Sequence, residues 1–216
     1  MKIPNHITFT GVDERTDISE LIEMSMMYPV EFGVLICDWS KDARHASLQT
    51  VDELFRAKKS LNLSAHLFGA VARSAAKKGF DLSTKNWDRK TLNIARFDRI
   101  QVNGAKLDDF KGKAFDDLNH ENGLILQTRD CLFHDVTVSW LFDQSGGRGL
   151  VPSKVPHLAT NFCGYSGGIN PDNVIDYLKK IKGDGEFWID IESGVRTNGW
   201  FDVRKCRQIC ESVYKR

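Results

Sequence analysis

The last third of this chain contains three glycine-rich turns, each following a short apolar run that is typical of a buried strand. The turns span residues 144–149, 164–173 and 192–195. Glycine lets backbone N–H groups approach an anion without obstruction by a side chain, and the start of a helix adds positive potential. Because the last two turns each precede a helical pattern, they predict one phosphate site shared by two strand–helix units, as at the end of a (β/α)8 barrel.

Extended and helical patterns alternate along the whole chain, with no linker, repeat or low-complexity segment between them. The runs predicted to be strands are residues 6–11, 31–36, 63–67, 99–102, 123–127, 138–142, 157–162 and 187–191. Such a series in 216 residues predicts an α/β protein that folds as a single (β/α)8 TIM barrel over residues 1–216. A doubly wound open sheet is the alternative architecture.

Two of the predicted connections carry specific expectations. In the seventh unit, Pro171 is expected near the first turn of a helix over residues 170–181, where a missing N–H costs nothing. The fifth unit is expected to be short or degenerate, because only about ten residues separate strand five from strand six, near the lower limit for a crossover.

Three methionines of the first predicted helix are expected to face the core: Met24, Met26 and Met27.

Composition argues against several classes of partner. The formal net charge of +1 provides no electrostatic basis for binding nucleic acid or an acidic membrane. No apolar window approaches the ~18 residues of a membrane span, and the N-terminus lacks an apolar signal core. The five cysteines are odd in number and show no metal-type spacing, so we expect a reducing, cytoplasmic protein with no metal site and no cofactor.

Three motifs in the last third resemble the phosphoribosylanthranilate isomerase family. In that family an aspartate ends strand six and a Gly-Gly-x-Gly turn follows, matched here by Asp143 and residues 146–149. The family's Gly-Gly-Leu-Asn-Pro-Glu-Asn-Val run is matched by residues 167–174, and its Asp-x-Ser-Ser-Gly-Val-Glu run by residues 190–196. The resemblance implies a ribulose-phosphate-binding type of barrel, an Amadori rearrangement in tryptophan biosynthesis, and a phosphorylated small-molecule substrate. We expect a monomer or a homodimer.

The motifs also supply candidate binding residues. Asp143 is the candidate general acid, because the family's acid occupies this position. Arg148 can clamp a carboxylate or a phosphate, with a solvent-exposed arginine as the alternative, and Asn103 can orient a substrate hydroxyl or cap the next helix. The candidate phosphate ligands are the backbone amides and hydroxyls of the turns: Gly147, Gly149, Ser166, Gly167, Gly168, Ser193 and Gly194.

The general base is missing from its family position. The family uses a cysteine at the end of strand one, and Thr10 stands there in this chain. A threonine hydroxyl is not a base near neutral pH without strong activation. Cys37, Asp38 and Asp13 are the candidates to replace the cysteine. The family's substrate-carboxylate arginine also has no match at its position, and Arg44 is the nearest arginine, two residues late.

Two further polar residues at predicted strands favour structural roles. His66 is placed like a metal-binding histidine of ribulose-phosphate 3-epimerase, but strand two carries no second histidine, so a satisfied structural histidine is favoured. Asp190 lies in strand eight, where the resembled family also has an aspartate. We expect Asp190 to be a buried, hydrogen-bonded support for the eighth turn.

These patterns favour an isomerase-type acid–base enzyme, or a lyase, over a hydrolase, because no nucleophile–histidine pair or metal cluster stands out in the sequence. Thr10 motivates an alternative, a catalytically altered barrel that binds a phosphorylated ligand without turning it over. A divergent aldolase or epimerase is the third hypothesis. It would need a lysine or a metal at a strand end, and Lys41 and Lys106 both lie in predicted loops.

Overall fold

Eight parallel strands form a closed barrel in which each strand pairs with the next and β8 pairs with β1. The computed structural model describes residues 1–37, 45–78, 92, 94–110, 123–130, 138–158 and 161–215. The strands are β1 His6–Thr10, β2 Val30–Ile36, β3 Leu63–Leu67, β4 Arg99–Val102, β5 Leu124–Thr128, β6 Ser139–Phe142, β7 Cys163–Ser166 and β8 Phe187–Ile191. The predicted (β/α)8 barrel is therefore confirmed, and the open sheet is excluded.

Helices cover the outside of the barrel. They are α1 Ile18–Met27, α2 Leu48–Arg56, α3 Gly69–Lys78, α4 Val174–Lys180 and α5 Val203–Tyr214. Short 3-10 turns occupy Lys58–Ser60, Ile94–Arg96, Leu107–Phe110 and Ser193–Val195, and a hairpin of β9 Arg196–Thr197 and β10 Trp200–Phe201 precedes α5. Residues 131–137 lie outside the described part, so a short fifth unit stays a prediction. Among the described residues, no helix is both long and apolar enough to cross a membrane.

The first helix corrects one expectation about the core. Asp17 caps α1 by accepting the backbone N–H of Ser19 at 2.8 Å, and Met24 is fully buried. Met26 and Met27, however, are 81% and 43% exposed. The buried stripe of a helix of this length is narrow, and these two positions fall on its solvent side. The prediction that both pack into the core was wrong.

The barrel interior is polar at its amino-terminal end. Arg99 forms a two-pronged ion pair with Glu31, with Nε···Oε2 at 2.9 Å and Nη2···Oε1 at 3.2 Å. Thr8 donates its hydroxyl to the same carboxylate at 2.9 Å. The guanidinium also lies over the ring of buried Trp188, which leaves no room for a side chain on Gly164. These polar side chains thus lie beside a small apolar cluster of Ile125, Leu141 and Trp188, which is separate from the main apolar core.

Strand seven lies later in the chain than predicted. The sequence pattern placed it at residues 157–162, whereas the strand is Cys163–Ser166. The apolar content of the earlier segment resembles a strand, but the Leu158 backbone N–H bonds to Lys182 in the loop after α4. The real strand carries one large side chain, Tyr165, and so gives a weak signal. Gly164 consequently belongs to β7, and the seventh turn begins at Gly167.

The seventh turn is also longer than expected, because its helix begins at Val174 and not at residue 170. The side-chain oxygen of Asn170 accepts the backbone N–H of Asn173 at 3.1 Å, and Asn173 donates its amide to the Gly168 carbonyl at 2.8 Å. These side-chain bonds satisfy the turn locally. Pro171 therefore lies in the turn, three residues before the helix begins, and the predicted helix start at residue 170 was wrong.

Candidate active site

A cavity of about 300 Å³ opens at the carboxyl ends of the strands, the end of a (β/α)8 barrel where active sites lie. An adjoining hollow of about 420 Å³ shares part of its wall. Both volumes are in the range of small-molecule sites. The cavity brings together most of the site residues predicted from the sequence: Asn103, Asp143, Gly147, Arg148, Gly149, Ser166, Gly167, Gly168 and Ser193.

The glycine-rich turns pack against one another to form one wall of the cavity. A Cβ atom on Gly194 would overlap the carbonyl oxygen of Ile169, so the eighth turn touches the seventh with room only for glycine. Gly168, with a φ of +64°, packs in the same way against the carbonyl oxygen of Gly149. A Cβ on Gly149 would in turn lie 2.5 Å from the Ser193 hydroxyl. The seventh and eighth turns, which the sequence predicts to share a phosphate site, are therefore in contact.

Helix starts contribute less to this wall than the sequence pattern suggested. We expected both turns to open directly into helices, yet α4 begins only at Val174 and the eighth turn opens into the three-residue 3-10 turn Ser193–Val195. An anion here would depend mainly on backbone amides and on hydroxyls. The Ser166 hydroxyl donates to the Phe142 carbonyl at 3.4 Å, a long bond that a better acceptor can replace.

The sixth turn is folded around the carboxylate of Asp143. The Oδ1 atom accepts the backbone N–H of Ser145 at 3.1 Å and its hydroxyl at 2.8 Å, and Oδ2 accepts the Gly147 N–H at 2.5 Å. Asp143 is buried and lines both the cavity and the hollow. The Gly147 amide, predicted as a phosphate ligand, serves Asp143 in this structure. Arg148 donates its Nε–H to the Ser145 carbonyl at 2.9 Å on the rim.

The floor of the cavity holds a cluster of Thr10, Asp190 and His66. The Thr10 hydroxyl donates to Asp190 Oδ1 at 2.6 Å, and Asp190 Oδ2 lies 3.9 Å from His66 Nδ1. All three side chains are buried, yet Asp190 and His66 contribute to the cavity lining. A Cβ on Gly33 would collide with Thr10 and His66, so glycine at this position permits the cluster. The Thr10 hydroxyl, at the position of the family's cysteine, is thus a hydrogen-bond donor to Asp190 in this structure.

Burial sets the protonation of this cluster. Desolvation raises the pKa of Asp190 to about 7, although the Thr10 hydrogen bond lowers it. The charges of Glu192, Glu31 and Asp143 add to the rise. Burial lowers the pKa of His66 to about 4, so at neutral pH the imidazole is uncharged and gives Asp190 no ion pair. Asp190 therefore exchanges its proton near neutral pH.

The other candidate bases have partners elsewhere. Cys37 Sγ lies 3.0 Å from His45 Nε2, a nucleophile–histidine pair that the sequence pattern did not indicate, and neither residue lines the cavity. Asp13 is buried, accepts the Phe201 backbone N–H at 2.7 Å and supports the hairpin before α5. Asp38 and Arg44 lie outside the described residues.

Two further polar residues lie at the site, Asn103 and Arg129, and the sequence patterns did not indicate the second of them. Asn103 lines the cavity and accepts a hydrogen bond from Gln101 at 2.8 Å, so its carboxamide is held in place. Arg129, directly after β5, lines the adjoining hollow beside Gly146. Its position at the carboxyl end of a strand is the signal that would have found it. Within the described part of the chain, Arg129 has no ion-pair partner.

Among the residues that the structure describes, no group of three or more His, Cys, Asp or Glu side chains is arranged to hold a metal ion. His66, the one residue that resembled a metal ligand, interacts with the Ser64 hydroxyl through Nε2 at 3.1 Å. Its neutral, bonded state agrees with the structural role expected from the sequence.

Comparisons with known proteins agree on one family. The sequence profile of the family described as N-(5'phosphoribosyl)anthranilate (PRA) isomerase matches residues 90–212. The N-(5'-phosphoribosyl)anthranilate isomerase of Methanococcus maripaludis is 40% identical over 48 residues, which cover 22% of this chain and 22% of that protein.

Solved structures show the fold. The phosphoribosyl anthranilate isomerase of Thermotoga maritima matches with a TM-score of 0.62 at 13% identity, over 98% of this chain and 99% of that one. The N-(5'-phosphoribosyl)anthranilate isomerase of Pyrococcus furiosus matches with a TM-score of 0.55 at 14% identity, also over 98% and 99%.

Proposed function

This chain belongs to the N-(5'-phosphoribosyl)anthranilate isomerase family, and on that premise we propose that it isomerises a phosphorylated aminosugar by acid–base catalysis. The substrate that we assign is phosphoribosylanthranilate, after which the relatives are named. The observation that carries the proposal is the convergence of the seventh and eighth turns on a cavity that Asp143 also lines. We expect the protein to act as a monomer or a homodimer in the cytoplasm.

The phosphate would sit at the wall formed by the glycine-rich turns. Gly168 and Gly194 keep side chains away from this wall, and Ser166 and Ser193 bring hydroxyl donors to it. Donors of this kind bind an anion without introducing a fixed charge. With the phosphate held at the seventh and eighth turns, the sugar extends toward Asp143 and the cavity floor.

The reaction opens the sugar ring and moves a proton from C2 to C1. Asp143, as general acid, gives a proton to the ring oxygen while the C1–O bond breaks and the nitrogen lone pair forms a C=N bond. A general base then removes the C2 proton, the C–H electrons form a C1=C2 bond, and the C=N electrons return to nitrogen. Tautomerisation, in which C1 gains a proton and the C2 hydroxyl loses one, yields the ketose.

Arg129 is the residue that we propose binds the carboxylate of the anthranilate group. It contributes a guanidinium to the hollow that adjoins the cavity, where Phe68 provides an aromatic ring. An arginine binds a carboxylate through two parallel hydrogen bonds. This role falls to Arg129 because Arg148 is anchored on the Ser145 carbonyl.

Replacing Arg129 by glutamine is expected to raise KM for phosphoribosylanthranilate about 10- to 100-fold, since a hydrogen bond to a charged group contributes roughly 1.5–3 kcal/mol. The value of kcat should change much less, because the carboxylate is remote from the reacting carbons. Steady-state kinetics measure both constants. Arg148→Gln is the matched control, and an equal rise in KM for Arg148→Gln alone would assign the carboxylate to that residue instead.

The experiment that tests the function is turnover of phosphoribosylanthranilate by the purified protein, followed as formation of the ketose product. We expect the rate of turnover to saturate with substrate concentration. We also expect the ketose product to be a competitive inhibitor. A rise in melting temperature with phosphorylated sugars but no turnover of phosphoribosylanthranilate would instead support the binding-module alternative.

The aldolase or epimerase hypothesis has less support. Lys106 does not line the cavity, and Lys41 lies outside the described residues.

A further inference from the structure

The cluster on the cavity floor has no role in the steps assigned so far. Thr10 ends β1 and Asp190 belongs to β8, and these two strands are hydrogen-bonded neighbours in the closed barrel. Their side chains meet through a 2.6 Å hydrogen bond at the bottom of the cavity. The Asp190 side chain is 8% exposed, and that exposed part contributes to the cavity. The Asp190 carboxyl group therefore faces the cavity beside Thr10, the last residue of strand one.

We propose that Asp190 is the general base that removes the C2 proton, and that Thr10 is a positioning residue that holds the Asp190 carboxylate. This inference rests on the proposed function. In the step, the C2–H bond breaks, its proton passes to the free Oδ2 of Asp190, and its electrons form the C1=C2 bond. Protonated Asp190 then returns the proton to C1 as the enol becomes the ketone, and the proton that leaves the C2 hydroxyl restores the acid form of Asp143, so the enzyme ends unchanged.

Other groups near the floor are poorer bases. The Thr10 hydroxyl is already a donor to Asp190, and His66 is tied to Ser64 through Nε2. The low pKa of His66, about 4, makes its imidazole a weak proton acceptor at neutral pH. Asp13 and Cys37 do not line the cavity.

The protonation of Asp190 suits this role. Its pKa of about 7 lies close to neutral pH, where a general base combines sufficient ionisation with sufficient basicity. Burial is the main cause of the raised pKa, the Thr10 hydrogen bond from β1 lowers it, and Glu192 after β8, Glu31 on β2 and Asp143 after β6 raise it further. His66 on β3 also faces the carboxyl group, with Nδ1 3.9 Å from Oδ2. Because its pKa is raised, ionised Asp190 is a stronger base than an exposed carboxylate.

Replacing Asp190 by asparagine tests the base directly with phosphoribosylanthranilate as substrate. We expect kcat to fall about 10²- to 10⁴-fold while KM changes little. The variant should fold, because a carboxyl whose pKa is raised in the folded state costs stability as pH rises from about 4 to about 7. Asp190→Asn should therefore gain stability relative to the wild type over that pH interval.

Substitutions of Thr10 test its positioning role through the pH profile. The Thr10 hydrogen bond lowers the pKa of Asp190, so Thr10→Val should move the rising limb of the plot of kcat against pH to higher pH. Thr10→Ser keeps a hydroxyl donor and should leave the limb at its wild-type position. A purely structural Thr10 would leave the limb in place.

Three outcomes would overturn the assignment. A wild-type rate in Asp190→Asn, or a loss confined to Cys37→Ser, would do so while leaving the proposed function intact. Absence of turnover in the wild-type protein would overturn both.

Discussion

Replacing Asp143 by asparagine is expected to lower kcat for phosphoribosylanthranilate about 10²- to 10⁴-fold, the usual loss when a general acid is removed. Asparagine keeps the size of the side chain and an oxygen that can accept from the backbone, but it has no proton to give to the ring oxygen. Steady-state turnover gives kcat, and circular dichroism and the melting temperature show whether the sixth turn keeps its fold.

The sixth turn supplies a matched control for this substitution. Ser145→Ala removes the 2.8 Å hydrogen bond from the Ser145 hydroxyl to Asp143 Oδ1, and it also removes the acceptor for the backbone N–H of Arg148. The Asp143 carboxyl group itself is unchanged. If Asp143 acts as an acid, Ser145→Ala should retain most of the activity that Asp143→Asn loses. Equal losses in the two variants would mean that Asp143 serves to shape the turn and does not donate a proton.

The second large effect concerns stability. Replacing Arg99 by leucine should lower the free energy of unfolding by about 3–5 kcal/mol, the range found when one partner of a buried ion pair is removed. Glu31 would be left buried with the Thr8 hydroxyl as its remaining short hydrogen bond. Urea denaturation followed by circular dichroism measures the loss. The double variant Glu31→Gln/Arg99→Leu should lose less, because no unpaired charge remains.

The pH dependence identifies Glu31 as the cause. Burial would raise the pKa of Glu31, but Arg99, His6 and the Thr8 hydrogen bond outweigh it and lower the pKa from 4.5 to about 2. A lowered carboxyl pKa contributes stability that is complete above about 4.5 and lost as pH falls through about 2. The difference between wild type and Arg99→Leu should therefore shrink across that interval. A constant difference would assign the loss to packing against Trp188.

A surface ion pair provides the contrast. Lys179 and Asp176 are 2.8 Å apart on α4, with side chains that are 60% and 76% exposed. Lys179→Met should leave stability unchanged within error, because solvent screens such pairs.

Much of the barrel was predictable because a buried parallel strand has a compact signature. Strands β3, β4 and β8 begin and end where the apolar runs do, since turn residues bound each run closely. The position of strand β7 was not predicted, because the space beside Gly164 is occupied by Trp188, a contact between residues far apart in sequence. The late start of α4 was not predicted either, because it depends on hydrogen bonds that the side chains of Asn170 and Asn173 make within the turn.

In the candidate site, too, residues in local motifs were predictable and residues that depend on long-range contacts were not. Asp143 and the glycine-rich turns follow from local motifs, and the structure brings them to one cavity. Asp190 was expected to be only a support, because no local pattern reveals that Thr10, 180 positions away, bonds to it at 2.6 Å. Its elevated pKa comes from burial in the closed barrel and from the nearby carboxylates of Glu192, Glu31 and Asp143. Arg129 was missed because no motif surrounds it, and its position directly after β5 is the one signal that indicates it.

The most direct test of the account is a crystal structure of the protein with the ketose product of phosphoribosylanthranilate bound. We predict that the phosphate lies against the turns at Gly168 and Ser193, that C2 faces the Asp190 carboxyl group, and that the hydroxyl derived from the ring oxygen faces Asp143. A product whose phosphate lies away from these turns, or whose C2 points away from Asp190, would contradict the account.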